Sequence, residues 1–491
     1  MEPVPGKPAF EFPLELPARD SRRLLRALHG QLRAAILDGR LRPGLRLPPT
    51  RVLAAAYGIS RNTAVAAYDL LLSEGYLLTR PGAGVYVADV LPQAPPRKVA
   101  VRDSGAERRL APYWRSPLAM PEPAPMPAAP PPRLYFRLGV PDKTAFPFEV
   151  WRRLSARALR VLSKAPAAYA EPQGRQVLRE AIAHHVSFAR AVACRPEDIC
   201  VTTGAQQAFD LLARILVAPG KTVVAVENPG YPPLRAAFAA AGARLAPVPV
   251  DQEGLVVEKL PAAARVICVT PSHQFPLGCA MSARRRAALL EFAQARGAVV
   301  IEDDYDCEFR YGGRPLDALQ TLDRAESVFY VGTFSKSLFP AIRLGYVVAP
   351  PWAQCALLAA KKCSDWHCAV LSQDSLAAFI AEGHLARHVR KMRRVYGARR
   401  ELLTEILQRD FARWLEPVPC VAGLHLAALF KAKTDEAEVL RQAARQDVGL
   451  YGLREFQHGR AARQGLVFGY GAIGEDAISE GLSRLRRALQ R

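Results

Sequence analysis

The hydrophobic pattern divides the chain into a short helical N-terminal part and a longer part in which strand-like and helix-like segments alternate. From Ser21, leucines and isoleucines recur at steps of three and four residues, which predicts an amphipathic helix that stops near Gly39. Two shorter helices are predicted over residues 51–57 and 61–73, and a glycine-containing turn joins them into a helix-turn-helix. The expected caps and breaker of these two helices are Thr50, Ser60 and Gly58.

The second short helix begins with a polar and cationic turn, Ser60-Arg-Asn-Thr63, and its apolar face follows behind that turn. A recognition helix needs this order, with base- and phosphate-contacting groups at its leading end and packing groups behind them. A β-hairpin is predicted next, from runs at residues 76–80 and 85–87 around the turn 81–84. Residues 1–88 carry 12 Lys and Arg against 7 Asp and Glu, which is consistent with binding to phosphates.

Between residues 199 and 348, strand-like and helical segments alternate, which is typical of a mostly parallel sheet covered by helices. The strand-like runs are residues 200–202, 222–226, 244–250, 266–270, 298–301, 328–331 and 344–348, and the helical segments are residues 205–216, 233–241 and 283–296. After residue 353 helices dominate, including residues 385–411. A smaller subdomain with strand runs at 424–430 and 466–470 and a closing helix ends the chain.

A proline-rich stretch separates the two parts, because residues 91–132 hold 12 of the 41 prolines and show little apolar periodicity. It predicts a linker over residues 89–132, partly in the polyproline II conformation. A chain of 491 residues is expected to hold two or three domains. We expect a DNA-binding domain at 15–88 and a larger domain at 133–491, with its small subdomain at about 385–491.

The net charge of +21 favours an anionic partner, although composition alone leaves nucleic acid, a membrane surface and a merely arginine-rich surface open. The sequence contains neither an apolar run near 18 residues nor a secretory signal pattern, which predicts a cytoplasmic protein without a membrane span. The nine cysteines form no Cys-x-x-Cys pair, so we expect free thiols in a reducing compartment and no metal site.

Candidate chemistry follows from a lysine at the end of a buried strand. The apolar run at 328–331 breaks at a glycine into a turn that delivers Lys336, and Arg343 follows seven residues later. A lysine amine can form an imine with a carbonyl cofactor while hydroxyl and guanidinium groups hold that cofactor's phosphate. Taken alone, Lys336 is as well explained by a solvated turn, the commonest place for a lysine.

Several spaced motifs of the N-terminal part resemble the winged-helix DNA-binding domain of GntR-type repressors. They include Gly39-x-Leu-x-Pro-Gly-x-x-Leu-Pro-x-x-Arg51, Ser60-Arg-Asn-Thr63, Glu74-Gly-Tyr76 and Arg80-x-Gly-x-Gly-x-Tyr-Val87. Pro49 and Ala83 stand where that family usually has serine. The candidate DNA contacts are Arg51, Ser60, Arg61, Asn62, Thr63, Arg80 and Gly82.

Residues 134–491 resemble a fold-type I aminotransferase dependent on pyridoxal 5'-phosphate (PLP), and the whole order resembles the MocR/GabR family of bacterial transcriptional regulators. The motifs include Tyr169-x-x-Pro-x-Gly174, Val201-Thr-Thr-Gly-Ala-Gln-Gln207, Val269-Thr-Pro-Ser-His-Gln-Phe-Pro276, Ile301-Glu-Asp-Asp-Tyr305 and Gly332-Thr-Phe-Ser-Lys336. The resemblance implies a multidomain protein. Its N-terminus is an α+β winged helix, followed by an α/β aminotransferase fold with a small C-terminal α+β subdomain.

The resemblance also implies roles for ten residues. Lys336 forms the Schiff base, Asp303 pairs with the pyridine nitrogen, Tyr305 donates to the phenolic oxygen, and Tyr231 stacks on the ring. The implied phosphate contacts are Gly204, Ala205, Gln206, Thr333, Arg343 and, from the partner subunit of a homodimer, Tyr169. Without the resemblance, the acidic run at 302–306 is also open to a Mg²⁺ site or a polar strand end, and His273 to a structural role.

Two departures bear on activity. Phe275 stands where aminotransferases carry an asparagine that touches the phenolic oxygen, and Val467 aligns with the arginine that binds the substrate carboxylate, with Arg463 nearby. We therefore expect a transcriptional regulator that binds a double-stranded operator with two half-sites and senses PLP or an amino compound through an aldimine at Lys336. The alternative is an active aminotransferase that carries a DNA-binding module.

Overall fold

The computed structural model describes residues 10, 12–17, 21–89, 112–115, 132–312, 317–459 and 463–490. The chain divides into two compact units, Met1–Gly105 and Ala106–Arg491. Among the described residues, none of the helices combines the length and the apolar character that a membrane crossing requires.

In the described part of the N-terminal unit, three helices are followed by a hairpin, in the order predicted. Its elements are α1 (Ser21–Leu37), α2 (Thr50–Tyr57), α3 (Arg61–Ser73), β1 (Leu77–Arg80) and β2 (Gly84–Val87). Gly58 ends α2 in the left-handed conformation, and Ser60 Oγ accepts from the Thr63 amide at 3.0 Å, as an N-cap does. The predicted cap at Thr50 is wrong, because Thr50 is already helical and Pro49 precedes the helix without a side-chain hydrogen bond.

The hydrophobic core of this unit lies between α1 and α3. Leu28, Leu32, Tyr68 and Leu71 are buried in it. The segment before α2 adds to the hairpin, because the Leu47 amide donates to Val85 O at 2.9 Å. The hairpin therefore rests on a third extended segment, which the sequence pattern did not predict.

Most of the predicted linker, residues 90–111 and 116–131, lies outside the described residues. Within it, α4 (Pro112–Arg115) is a single helical turn. The Tyr113 hydroxyl of this turn donates to Ala236 O at 3.4 Å, so this turn packs against Ala236 within the unit Ala106–Arg491.

An eight-stranded sheet forms the centre of the larger unit, among the residues that the structure describes. After β3 (Leu134–Tyr135), its strands are β4 (Ile199–Thr202), β5 (Val223–Asn228), β6 (Arg244–Asp251), β7 (Gly254–Leu255), β8 (Ala264–Val269), β9 (Val299–Asp304), β10 (Val328–Thr333) and β11 (Gly345–Val348). Their order is β4-β11-β10-β9-β8-β5-β6-β7, and β10, β9, β8, β5 and β6 run parallel. The prediction of a mostly parallel sheet is confirmed.

Helices cover this sheet. They are α5 (Phe148–Leu162), α6 (Gln176–Arg190), α7 (Ala205–Leu216), α8 (Pro232–Ala240), α9 (Ala283–Arg296), α10 (Leu319–Leu322), α11 (Gln354–Ser364), α12 (Val370–Ala381) and the long α13 (His384–Asp410). Helices α7 and α9 have the bounds that their apolar periodicity predicted. Buried apolar side chains fill the space between sheet and helices.

A second, antiparallel sheet forms the C-terminal subdomain. Its strands are β12 (Leu415–Pro417), β13 (His425–Phe430), β15 (Tyr451–Gly452) and β16 (Gly465–Gly469), with α14 (Glu436–Arg445) and α15 (Glu475–Leu489) beside β14 (Val448–Gly449). Strand β3 pairs in parallel with β14, so the start of the larger unit is tied to its C-terminal part. This long-range pairing was not predicted from the sequence.

Candidate functional site

The parallel pairing of β9 and β10 brings the candidate lysine and carboxylate to the same region of the sheet. Asp303 on β9 lies opposite Val331 on β10, and Lys336 follows β10 after a short turn. Lys336 Nζ donates to Gly139 O at 2.8 Å. Burial lowers the pKa of Lys336, although the carboxylates of Asp306 and Asp303 oppose that effect. A larger share of the amine is therefore neutral and nucleophilic than at a solvated lysine.

Asp303 is a buried carboxyl group with an unused oxygen. It is 3% exposed, and its Oδ1 has no hydrogen-bond partner among the residues that the structure describes. Burial and the neighbouring Asp304 hold the pKa of Asp303 well above its usual value, while Lys336 acts in the opposite direction. An unsatisfied buried carboxyl oxygen is costly, so this arrangement suits a site where a cationic or proton-donating ligand group completes the bonding.

The other carboxylates of the acidic run have protein partners. Glu302 accepts from the amides of Leu319 and Gln320 at the start of α10. Asp304 Oδ2 accepts from Arg190 Nε at 2.7 Å and from the Tyr330 hydroxyl at 2.6 Å.

Glu302 and Asp304 therefore have structural roles. A Mg²⁺ site in the acidic run would need the same two carboxylates. Among the described residues, the one group whose ligand atoms could hold a metal ion is a different set: His273, Asp306 and His425. The expectation that the protein has no metal site stays a prediction.

The N-terminus of α7 lies beside the guanidinium group of Arg343. Gly204 precedes α7 with a φ of 85°, and a Cβ placed there would lie 2.9 Å from Arg343 Nη2. Arg343, itself in the left-handed conformation, donates to Thr203 O at 2.7 Å. A helix N-terminus beside a guanidinium group favours an anion such as a phosphate.

The remaining implied phosphate contacts differ in how they are placed. Ala205 opens α7, and the Gln206 side chain donates to Pro233 O at 3.0 Å. Thr333 is buried at the end of β10, and its hydroxyl donates to Ser335 Oγ at 3.1 Å. Tyr169 is 80% exposed, and its ring lies 5.3 Å from the ring of Trp366.

Two tyrosines lie with the candidate lysine site. The Tyr231 ring packs edge-on against Phe275, with centroids 5.3 Å apart, and burial raises the pKa of Tyr231 to about 12. The Tyr305 hydroxyl donates to His273 O at 2.9 Å and lies 3.0 Å from His273 Nδ1. The sequence left open whether His273 is structural or contacts the cofactor. In the structure, His273 directly contacts Tyr305.

His425 is a buried site residue that sequence reasoning missed. It opens β13 with 1% exposure, and within the described part of the chain its Nε2 has no hydrogen-bond partner. Its ring lies 4.6 Å from the ring of His273 and 5.3 Å from that of Phe275. Burial, His273 and Lys336 hold the pKa of His425 well below its usual value, so the ring is neutral. A histidine within an apolar strand pattern carries no signal that would have identified it.

The two sequence departures lie in one apolar cluster. Phe275 and Val467 are both buried there, together with Leu277, Ala427 and Phe456. Val467 pairs with Ala427 and Tyr451 in the small sheet. The position that aligns with a carboxylate-binding arginine is therefore part of a hydrophobic core.

The candidate DNA contacts of the N-terminal unit are mostly exposed. Arg51, Ser60, Arg61, Asn62, Arg80 and Gly82 are exposed, and Thr63 is half-buried. Ser60 and Thr63 hydroxyls lie 2.8 Å apart, so both take part in the cap of α3. Arg80 lies 3.7 Å from Asp89 and 4.6 Å from the Tyr86 ring centroid, which holds it at the base of the hairpin turn.

Comparison with known families assigns both parts of the chain. Residues 25–87 match the family model described as bacterial regulatory proteins, gntR family, and residues 137–457 match aminotransferase class I and II. The chain is 39% identical to the probable rhizopine catabolism regulatory protein MocR of Rhizobium meliloti, over 94% of this chain and 93% of the relative. It is 32% identical to the pyridoxine biosynthesis transcriptional regulator PdxR of Corynebacterium glutamicum, over 98% and 99%.

The larger unit is also similar to solved aminotransferases. The α-aminoadipate aminotransferase LysN of Thermus thermophilus, complexed with N-(5'-phosphopyridoxyl)-L-leucine, aligns with a TM-score of 0.67 and 29% identity. The alignment covers 73% of this chain and 92% of LysN.

Proposed function

Because this chain belongs to the MocR/GabR family of helix-turn-helix transcriptional regulators, whose GntR-type domain binds DNA, we propose that its larger domain binds PLP at Lys336. The domain then acts as a sensor of PLP or of an amino compound that competes with Lys336. The protein acts as a homodimer on an operator with two half-sites in the bacterial cytoplasm.

The observation that carries this proposal is the unpaired, buried Oδ1 of Asp303 in the same site as Lys336. When bound, PLP supplies an aldehyde that condenses with a primary amine and a ring that withdraws electrons. Asp303 would hold the protonated ring nitrogen, and that contact would satisfy the oxygen that lacks a partner. Gly139 leaves room for the lysine, because a Cβ there would lie 2.5 Å from Lys336 Nζ.

The other residues would position the cofactor by charge and shape. The α7 N-terminus, with Gly204, Ala205 and Gln206, would bind the phosphate together with Thr333 and Arg343. Tyr305 would turn its hydroxyl from His273 to the phenolic oxygen, and Tyr231 would cover the ring. Tyr169 is exposed, as a residue that reaches the partner's site in a homodimer must be.

A sensing role is favoured over transamination by the apolar cluster around Phe275 and Val467. An aminotransferase places a cationic group where the substrate carboxylate binds, because a buried carboxylate without a partner is strongly disfavoured. Here that position holds a valine with 0% exposure. We therefore propose that an amino ligand binds without efficient turnover, and that its exchange with Lys336 changes the closure of the small subdomain.

The test is direct detection of PLP on Lys336. Purified protein incubated with PLP should develop the visible absorbance of a lysine-linked cofactor, and borohydride reduction should fix PLP on the peptide that contains Lys336. Lys336→Ala should lose both signals, whereas Lys362→Ala, which changes an exposed lysine of α11, should keep them. Retention of both signals in Lys336→Ala would refute the proposal, and sustained keto-acid production from an amine panel would overturn the sensing role.

A further inference from the structure

The long helix α13 carries a row of exposed cations along one face. Arg387, Arg390, Lys391 and Arg394 recur at steps of three and four residues, so their side chains are neighbours on the helix surface. All four residues are exposed. Residues 384–400 hold seven Lys and Arg and no Asp or Glu. We call these four residues the α13 cationic stripe.

Nearby acidic groups do not neutralise this stripe. Arg387 donates to the backbone oxygen of Glu382 at 3.0 Å and lies 2.8 Å from His384 Nδ1. The carboxylate of Glu382 pairs instead with Arg157 and His384. Among the residues that the structure describes, none of the ion pairs includes a member of the stripe. The four positive charges are therefore available to a ligand.

The stability of the helix does not explain this arrangement. Like charges three or four residues apart destabilise a helix. The N-terminus of a helix also disfavours cations, and the first turn of α13 contains Arg387 and no acidic residue. A surface that serves only solubility intersperses charges of both signs. An anionic ligand would offset the repulsion, so a binding surface explains the stripe better than a solvated face does.

The length and the fixed orientation of the stripe suit a run of phosphates. Leu385, Val389, Met392 and Tyr396 are buried in the hydrophobic core, which holds the other face of α13 in place. From its first to its last cation the stripe spans about 10 Å, at about 1.5 Å per residue. One strand of B-DNA places about three phosphates along that length of helix axis. The stripe therefore matches a short segment of DNA backbone in length and in charge.

Three observations favour DNA over other anionic ligands. The GntR-type domain of the same chain binds DNA, so a duplex is present near the larger domain at a high effective concentration. A helix that lies on a membrane inserts its apolar face among the lipids, whereas the apolar face of α13 is already buried in the protein core. Residues 133–491 hold 49 Lys and Arg against 35 Asp and Glu, a balance that favours a polyanion.

We propose that the α13 cationic stripe binds the phosphate backbone of the DNA that the N-terminal domain holds. The larger domain is then a second DNA-binding surface as well as the proposed sensor. Lys and Arg contacts to phosphates position a protein on the duplex without reading bases. The stripe therefore adds affinity and salt dependence, while the choice of sequence stays with the N-terminal domain. This contact does not depend on PLP at Lys336.

The first test measures how DNA binding depends on salt. The full-length protein is titrated by fluorescence anisotropy with a mixed-sequence duplex of about 60 base pairs at several salt concentrations, because phosphate contacts form on any sequence. Each phosphate contact contributes about 0.9 to the slope of log K against log salt concentration. The triple variant Arg390→Gln, Lys391→Gln and Arg394→Gln should therefore lower the magnitude of this slope by about 2 to 3.

A dispersed variant separates a local contact from the loss of net charge. Lys221→Gln, Lys259→Gln and Lys362→Gln removes the same charge from exposed lysines that lie apart on the larger domain, and it should keep the wild-type slope. A stripe variant whose slope equals that of the dispersed variant would overturn the proposal. So would a stripe variant that loses binding to phosphatidylserine vesicles while its DNA binding is unchanged, since the stripe would then be a membrane contact.

Protection of Lys391 tests the contact on the wild type, without any variant. The full-length protein is acetylated with an amine-reactive acetyl ester in the presence and absence of the same duplex, and each lysine peptide is quantified by mass spectrometry. DNA should slow the acetylation of Lys391 at least about threefold, because a phosphate contact covers the amine, and should leave the exposed Lys362 unchanged. A Lys391 that is unreactive in the free protein, or equally reactive with and without DNA, would overturn the proposal.

Discussion

Replacement of Asp303 by asparagine is expected to stabilise the PLP-free protein and to weaken PLP binding. The wild-type carboxyl group is 3% exposed, has an unpaired Oδ1, and lies near Asp304 and Asp306. An unsatisfied buried polar group costs about 1–3 kcal/mol. Asparagine keeps the shape of the side chain and still leaves one polar atom unpaired, but it removes the charge, so the PLP-free variant should gain only the part of this cost that the charge adds, on the order of 1 kcal/mol at neutral pH.

The sign of the pH dependence follows from the direction of the shift. The pKa of Asp303 is raised in the folded state, so the wild type carries no penalty below the pKa of the unfolded chain. The free-energy cost of ionising Asp303 in the folded protein grows as the pH rises from the unfolded pKa towards the folded pKa. Above the folded pKa this cost is constant. The stability gained by Asp303→Asn should therefore be larger at pH 8 than at pH 5.

Although Asp303→Asn should stabilise the PLP-free protein, it should lower the affinity for PLP. A hydrogen bond between charged groups contributes about 1.5–3 kcal/mol, which corresponds to a loss of about 10- to 100-fold in PLP affinity. Thermal unfolding of the PLP-free chain and PLP titration by absorbance measure the two effects. Asp317→Asn, at an exposed carboxylate, is the matched control. A destabilised PLP-free variant with unchanged PLP affinity would refute this reasoning.

Three further substitutions test the remaining contacts. Gly139→Ala should weaken PLP binding, because its Cβ would lie 2.5 Å from Lys336 Nζ and displace the end of that side chain, and because its φ is +62°; absorbance after PLP addition measures this. Ser60→Ala removes the cap bond to the Thr63 amide and should cost about 1 kcal/mol, measured by urea unfolding of the N-terminal domain. Arg61→Ala should weaken operator binding and lower the salt dependence by about one phosphate contact, measured by anisotropy at several salt concentrations.

Each of these has a control of its own. Gly312→Ala, at a glycine with open space around it, should leave PLP binding unchanged. Ser73→Ala removes a hydroxyl at the end of α3 and should not lose the cap energy of Ser60. Arg152→Ala, on α5 of the larger unit, should keep the salt dependence of the wild type. An Arg61→Ala variant with wild-type affinity at every salt concentration would contradict the assignment of α3 as the recognition helix.

The sequence determined the elements and their order, because apolar periodicity and capping residues act over a few neighbouring positions. Helices α7 and α9 begin and end where their patterns predicted, and Ser60 caps α3. The motifs around Lys336 and Asp303 identified the family and the candidate cofactor site. Thr50 shows the limit of such local reasoning, because a proline before the helix replaced the expected cap.

Only the tertiary structure decided which polar groups are paired and which are left without a partner. Cys420 Sγ lies 3.2 Å from His273 Nε2 although 147 positions separate the two residues, and β3 pairs with β14 across an even longer separation. Whether Asp303 Oδ1 and His425 Nε2 have a hydrogen-bond partner likewise depends on which distant segments of the described chain pack around them. Such contacts depend on which distant segments of the chain pack together. A hydrophobic pattern that repeats every two or four residues carries no information about that packing.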